Sequence, residues 1–185
     1  MKNKIYYAKA VYGKKEIKAV TDVLKNNSLS LMDGKNVKNF EKIVSKMFGK
    51  KYGLMVNSGS SANLLALASL GLKRGSEIIT PTLTFSTTVS PIYQLGFIPK
   101  FVDVEKQRYV VDIEQIKKAI SKKTKAIIIP NLLGNIPDWK KIKNLCKNKK
   151  IFLIEDSADT IGTKFMEKIQ VCYQMLLQLV FMHHI

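Results

Sequence analysis

The sequence predicts an α/β fold in three layers, a mostly parallel sheet with helices on both faces. Three observations lead there. Short and nearly continuous apolar runs recur at 78–80, 98–102, 126–130 and 151–154, the signature of strands buried on both sides. Helical periodicity fills the intervals between them, at 87–95, 113–120 and 139–147. No repeat, linker or low-complexity stretch interrupts the alternation between residues 6 and 165, so one sheet with crossover helices accounts for the whole stretch.

The elements follow in order. From 13 to 26 the apolar residues Ile17, Val20, Val23 and Leu24 fall at helical spacing, and Val37, Phe40, Ile43, Val44 and Met47 line one face of a second helix. The period then changes. Tyr52-Gly53-Leu54-Met55-Val56 reads as a short apolar strand running into Asn57-Ser58-Gly59-Ser60-Ser61-Ala62-Asn63. An Ala- and Leu-rich helix is expected over 64–72, and the strand and helix alternation begins after it.

With 185 residues, 46% of them hydrophobic, the chain can bury one α/β core and is short for an enzyme with a second domain. The formal charge of +17 invites a polyanion partner. Arg74 and Arg108 are the only arginines, however, and phosphate and base recognition favour the planar guanidinium. No nucleic-acid partner is expected, and Lys147 to Lys150 reads as a solvated helix end. Cys146 and Cys172 cannot build a disulfide framework, and no basic-then-apolar leader opens the chain, so a cytoplasmic location is expected. Cys146 reads as a small buried hydrophobe. The apolar stretch 171–182 carries Gln174 and Gln178 and is too short to span a bilayer. Neither a membrane span nor a metal site is expected.

Three segments carry chemistry. A strand followed by a Gly- and Ser-rich turn that opens a helix gathers backbone N–H groups at the positive helix end, which suits a phosphate; 57–63 has that form. Read alone, Gly59 could merely permit a tight turn and Ser58 merely cap the helix. The turn matches neither the Walker nor the dinucleotide glycine pattern. Next, Ile151-Phe152-Leu153-Ile154-Glu155-Asp156-Ser157-Ala158-Asp159 is a buried strand delivering acids at its carboxyl end, where open α/β sheets place ligands. A capping Asp would explain one of those acids, but less easily three. Such a carboxylate can hold a pyridinium nitrogen protonated. Last, Pro81-Thr82-Leu83-Thr84-Phe85-Ser86-Thr87-Thr88 is a polar loop in which Phe85 either stacks on a ring or fills the core at a helix start.

Together these segments resemble the vitamin-B6-dependent enzymes of aminotransferase fold type I, specifically the DegT/DnrJ/StrS sugar family. The likeness runs in unbroken order from 6 to about 165 and includes Pro99-Lys100-Phe101-Val102-Asp103-Val104 and Leu133-Gly134-Asn135-Ile136-Pro137-Asp138. It implies the N-terminal part of the family's large domain over 1–165. It also implies a pyridoxal or pyridoxamine 5'-phosphate cofactor, a nucleotide-linked 4-keto-6-deoxy sugar as substrate, and a role in lipopolysaccharide or other surface polysaccharide. By the same resemblance Ser58, Gly59, Ser60 and Ser61 hold the cofactor phosphate, Phe85 covers the ring, Asp156 meets the pyridine nitrogen and Asp159 lies near the ring hydroxyl. The parent enzyme is expected to be a homodimer, with a reductase as a further partner. Asn131 stands where many relatives have a His.

After Phe165 the family pattern stops, and 166–185 is expected to be a tail without it. The family's catalytic lysine is not in the chain, so no catalytic residue is assigned. Read one base out of frame, the tail changes character. Met166-Glu167 must yield Gly, Cys172-Tyr173 must yield Leu and Met182-His183 must yield Ala, and the other junctions permit the family's G-x-x-x-G, S-D and S-F-Y elements in order. The His184-Ile185 junction can encode His or Tyr but not Lys, at the place of the family's lysine. A His there resembles the branch that uses pyridoxamine phosphate to remove the C3 hydroxyl. A frameshifted, inactive product of a 3-dehydrase gene is therefore expected. Its alternatives are a pyridoxal-dependent sugar aminotransferase and a non-catalytic binding module, with an apolar terminal helix as the plain reading of the tail.

Overall fold

The computed structural model describes residues 10–26, 31 and 34–160, together with the backbone of three short strands beyond them. Elements run α1 (Lys14–Asn26), α2 (Lys35–Met47), α3 (Gly59–Ala68), β1 (Glu77–Pro81), α4 (Ser86–Gln94), β2 (Ile98–Val102), α5 (Ile113–Ala119) and β3 (Thr124–Pro130). A 3-10 turn (Leu132–Gly134), α6 (Trp139–Lys149) and β4 (Phe152–Asp156) follow, then β5 (Lys164–Phe165), β6 (Lys168–Ile169) and β7 (Leu177–Gln178). The rest of the 166–185 tail, Cys172 included, lies outside the described residues.

The main sheet has the order β2-β1-β3-β4-β7 with every ladder parallel. Register is in phase across its centre, where Ile128 pairs with Ile154 and Pro130 with Asp156. Because side chains alternate along a strand, each strand feeds two cores. Ile79, Ile127, Ile129 and Leu153 pack with Ile116, Trp139 and Ile142 on the α5/α6 side. Ile78, Ala126, Ile128 and Ile154 pack with Ala66, Leu67, Ile92 and Phe97 on the α3/α4 side. This is the expected three-layer arrangement, and it explains why the strands read as unbroken apolar runs.

Side chains set the starts of α5 and α6. Asp112 accepts N–H bonds from Glu114 and Gln115 at the head of α5, and Asp138 accepts that of Lys141 at the head of α6, each satisfying amides that have no partner within the helix. Lys150 ends α6 in the left-handed conformation at φ 55°. Cys146 is buried in the α5/α6 core, which pushes its thiol up to about 12. Among the described residues no helix is long and apolar enough to cross a membrane.

Two expectations need correction. The Ala- and Leu-rich helix begins at Gly59 and ends at Ala68, earlier at both ends than 64–72, because Ser58 caps it and the chain turns through Gly71 at φ +59°. Tyr52 to Val56 is not a strand of the sheet. Instead it is pinned to α2: Met55 N–H donates to Glu41 Oε1 at 2.7 Å, and Gly53 lies so close that a Cβ there would sit 2.7 Å from Glu41 O. Tyr52 and Leu54 are each 78% exposed. Period-two patterning is thus present without a ladder partner among the described residues. Likewise the apolar stripes of the first two helices form, yet Ile17, Val20, Leu24 and Ile43 remain exposed.

Candidate functional site

The carboxyl end of β4 faces the amino ends of α3 and α4, and the chemistry gathers there. Strand alternation sends the acids of β4 apart. Asp156 follows Ile154 towards α3 and α4, whereas Glu155 follows Leu153 towards α6. Asp156 is 7% exposed. Its Oδ2 accepts from Asn63 Nδ2 at 3.1 Å and from Thr88 Oγ1 at 2.9 Å, and among the described residues its Oδ1 accepts only the Ala158 N–H at 3.3 Å. None of the ion pairs among the described residues involves Asp156.

The Gly and Ser turn is where the sequence placed it, and it is tied to that carboxylate. Ser58 Oγ caps α3 by accepting the Ser61 N–H at 3.1 Å, and it donates to Ser61 Oγ at 3.1 Å. Ser58 and Ser60 are exposed and Gly59 and Ser61 half-buried, so hydroxyls and first-turn backbone face outward at the positive end of a ten-residue helix. Asn63 sits four residues on from Gly59, about 6 Å along the helix axis. One helical turn therefore separates the Gly and Ser turn from the residue that grips Asp156. The capping reading of Ser58 is the one the structure shows.

Phe85 is the residue before α4, with backbone at φ −72° and ψ 145°, and its ring is 69% exposed. It does not fill the core, so the core reading is corrected: the helix starts after it and the packed residue of this segment is Thr88. Asp159 is exposed, and its Oδ2 accepts the Leu133 N–H at 3.0 Å. That bond ties the loop after β4 to the 3-10 turn, where Leu133 adopts φ 54° and Gly134 φ 81°.

Sequence reasoning passed over the partners of these residues. Asn63 and Thr88 are fully buried polar groups; the signal for each was a polar side chain at a core position of an otherwise small and apolar helix face. Asn131, noted only for replacing a His, is 1% exposed. Its Nδ2 reaches Glu155 Oε1 at 2.7 Å, Ser157 Oγ at 3.1 Å and Thr160 Oγ1 at 3.2 Å, and its Oδ1 accepts from Trp139 Nε1 at 3.0 Å. Its own N–H donates to Asp156 O at 2.9 Å. The β3 and β4 ends are locked together beneath the site.

A cavity of about 120 Å³ lies between α2 and residues 50–59, lined by Phe40, Val44, Phe48 and Met55 among others, and it reaches Ser58 and Gly59 but not Asp156. Its mostly apolar lining suits packing rather than an ionic ligand. Among the described residues no cluster of His, Cys, Asp and Glu could hold a metal.

Known proteins share this fold. The model of the DegT/DnrJ/EryC1/StrS aminotransferase family matches residues 11–173. A GDP-4-keto-6-deoxy-D-mannose 3-dehydratase of Yersinia pseudotuberculosis is 37% identical over 186 residues, covering 96% of this chain and 47% of its own length. The solved E. coli GDP-4-keto-6-deoxy-D-mannose-3-dehydratase with bound hydrated PLP is 39% identical with a TM-score of 0.80, over 87% of this chain and 42% of that one. An aminotransferase from Psychrobacter cryohalolentis is 27% identical with a TM-score of 0.81, over 85% of this chain and 40% of that one. The chain spans less than half the length of each.

Proposed function

The chain belongs to the DegT/DnrJ/EryC1/StrS aminotransferase family, and on that premise we propose that residues 1–165 are the cofactor-holding part of a B6-dependent enzyme that modifies nucleotide-linked 4-keto-6-deoxy sugars for surface polysaccharide. The observation that carries this reading is Asp156: a nearly buried carboxylate that accepts hydrogen bonds but has no cationic side chain beside it among the described residues. Burying a charge without a counter-charge is costly, and a protonated pyridine nitrogen would supply one. The donor set thus fits pyridoxal or pyridoxamine phosphate. When bound, that cofactor supplies an electron sink for carbanion chemistry.

The remaining roles are those the family resemblance implies. Asp156 keeps the proton on the ring nitrogen, because a carboxylate opposite a cationic N–H favours the charged form. The Gly59, Ser60 and Ser61 backbone, with the hydroxyls of Ser58, Ser60 and Ser61, binds the phosphate at the positive end of α3. Phe85, exposed at the start of α4, shields one face of the ring from water. Asp159 takes the ring-hydroxyl side.

Two observations favour a pyridoxamine-phosphate-dependent 3-dehydrase as the parent activity. One is the likeness to GDP-4-keto-6-deoxy-D-mannose 3-dehydratases; the other is the shifted-frame reading of 166–185, which allows a His, and excludes a Lys, at the place of the family's lysine. An imidazole titrates near neutral pH and can move a proton, but it cannot anchor pyridoxal phosphate covalently. The parent is a homodimer working with a reductase and is cytoplasmic. Amino transfer is the second reading, favoured by the likeness to the Psychrobacter aminotransferase. A frame-restored enzyme given pyridoxamine phosphate, a reductase and a 4-keto-6-deoxy nucleotide sugar separates the two. Sugar consumed without nitrogen transfer supports dehydration, and conversion of glutamate and sugar into an amino sugar supports the alternative.

A further inference from the structure

Asp156 can accept about four hydrogen bonds, two at each carboxylate oxygen. Asn63 and Thr88 both donate to Oδ2, at 3.1 and 2.9 Å, and so fill that oxygen's share. Among the described residues Oδ1 carries a single long bond, from Ala158 N–H at 3.3 Å. The two donors come from different helices, α3 and α4, which pack against each other on one face of the sheet. Their convergence on one oxygen fixes the carboxylate's rotation as well as its place.

The two donors are costly residues to bury. Thr88 is 0% and Asn63 1% exposed, and Asn63 Oδ1 has no hydrogen-bond partner among the described residues. An unpaired buried amide oxygen costs roughly 1–3 kcal/mol. An apolar side chain at 63, among Ala66 and Leu67 in the same core, would avoid that cost. What the amide gains in return is the bond to Asp156.

We infer that Asn63 and Thr88 are positioning residues that together occupy Asp156 Oδ2 and thereby present Oδ1 to the ring nitrogen of the cofactor. This rests on the B6 reading of the site and deepens it. Neither side chain touches the ligand; both act through Asp156. A carboxylate held by two donors meets its cationic partner without first losing rotational freedom, so the gain falls on the ring end of the ligand and not on the phosphate end.

The test uses the 185-residue chain with Thr88→Val, Thr88→Ser, Asn63→Leu and Asp156→Asn, and two probes, pyridoxamine phosphate and inorganic phosphate as its competitor. Affinity for pyridoxamine phosphate should fall about tenfold to a hundredfold in Thr88→Val and in Asn63→Leu, as expected for loss of a hydrogen bond to a charged group. Thr88→Ser, which keeps the hydroxyl, should bind nearly as the unaltered chain does. The competition constant of inorganic phosphate should stay the same in all of them, whereas a general loss of structure would move both probes. If Asp156→Asn weakens pyridoxamine phosphate but Thr88→Val and Asn63→Leu do not, or if both probes weaken in parallel, the positioning role is overturned while the B6 site stands. If the unaltered chain shows no saturable binding of pyridoxamine phosphate, the B6 reading fails and this inference falls with it.

Discussion

Trp139 Nε1 donates to Asn131 Oδ1 across 3.0 Å, and because an indole nitrogen can only donate, this bond decides which end of the Asn131 amide faces β4. Nδ2 is thereby committed to Glu155, Ser157 and Thr160. Asn131→Leu should destabilise the chain by roughly 1–3 kcal/mol, because it strips donors from a buried carboxylate. Trp139→Phe should also destabilise, since it frees the amide to flip and leaves Oδ1 without its donor. Urea denaturation of both variants checks this; an Asn131→Leu chain as stable as the parent would mean that the network does not hold the β3 and β4 ends together.

Gly53 is required by contact rather than by φ. A Cβ there would lie 2.7 Å from Glu41 O, a backbone atom of α2 that cannot step aside cheaply. Gly53→Ala should therefore cost about 1–3 kcal/mol as overpacking does, and it should loosen the segment that enters Ser58. Thermal unfolding gives the first quantity and pyridoxamine phosphate affinity the second. An unchanged midpoint would show that the segment does not depend on this close approach.

At the opposite end of the strands, Glu77 accepts from Ser121 Oγ and Thr124 Oγ1 and faces Lys100 Nζ at 3.7 Å. The Ser121 hydrogen bond, with Lys100 and Thr124 helping against burial, holds its carboxyl below the ordinary 4.5. A group whose folded pKa is depressed contributes stability that is present above its unfolded value and is lost as pH falls through the folded one. The stability gap between the chain and Glu77→Gln should thus be full near neutral pH and close at pH values below the usual carboxylate range. A gap that persisted unchanged in acid would assign the cluster to packing alone.

Much of this was legible in the sequence because buried parallel strands leave an unambiguous mark. Ile127-Ile128-Ile129 feeds both cores, and nothing but a strand covered on both faces reads that way. The Gly and Ser turn and Asp156 were legible through chemistry, as a capped helix start and an acid at a strand end. Their link was not. Asn63 and Asp156 are 93 residues apart in sequence, and an Asn in a helix carries no mark of what it donates to. Phe85 was open between ring and core because aromatic residues serve both, and only its exposure removes the core reading. Tyr52 to Val56 was misread because alternation shows an extended segment but not whether a neighbouring strand exists to pair with it.

The shifted-frame reading of 166–185 makes its own prediction. Restoring one base near the codons of Phe165 and Met166 should yield a longer product with His at the place of the family's lysine, and sodium borohydride should fail to fix pyridoxal phosphate to it. Nucleotide sequence through the Ile185 codon and beyond, with mass spectrometry of the restored protein after borohydride, provides the check. A lysine-bound cofactor would show that the back-reading of His184 and Ile185 is wrong.

The central claim is that Asp156, and not Asp159, meets the charged ring of a B6 cofactor. Asp156 is nearly buried with one oxygen in reserve, whereas Asp159 is exposed and tied to the Leu133 backbone. The measurement that tests this most directly is the affinity of the chain for pyridoxamine phosphate with Asp156→Asn and with Asp159→Asn. Replacing the acid paired with the ring nitrogen should cost at least about tenfold, in keeping with the loss of a charge-assisted hydrogen bond, while Asp159→Asn should cost distinctly less. Equal losses from the two variants, or a larger one from Asp159→Asn, would contradict the assignment.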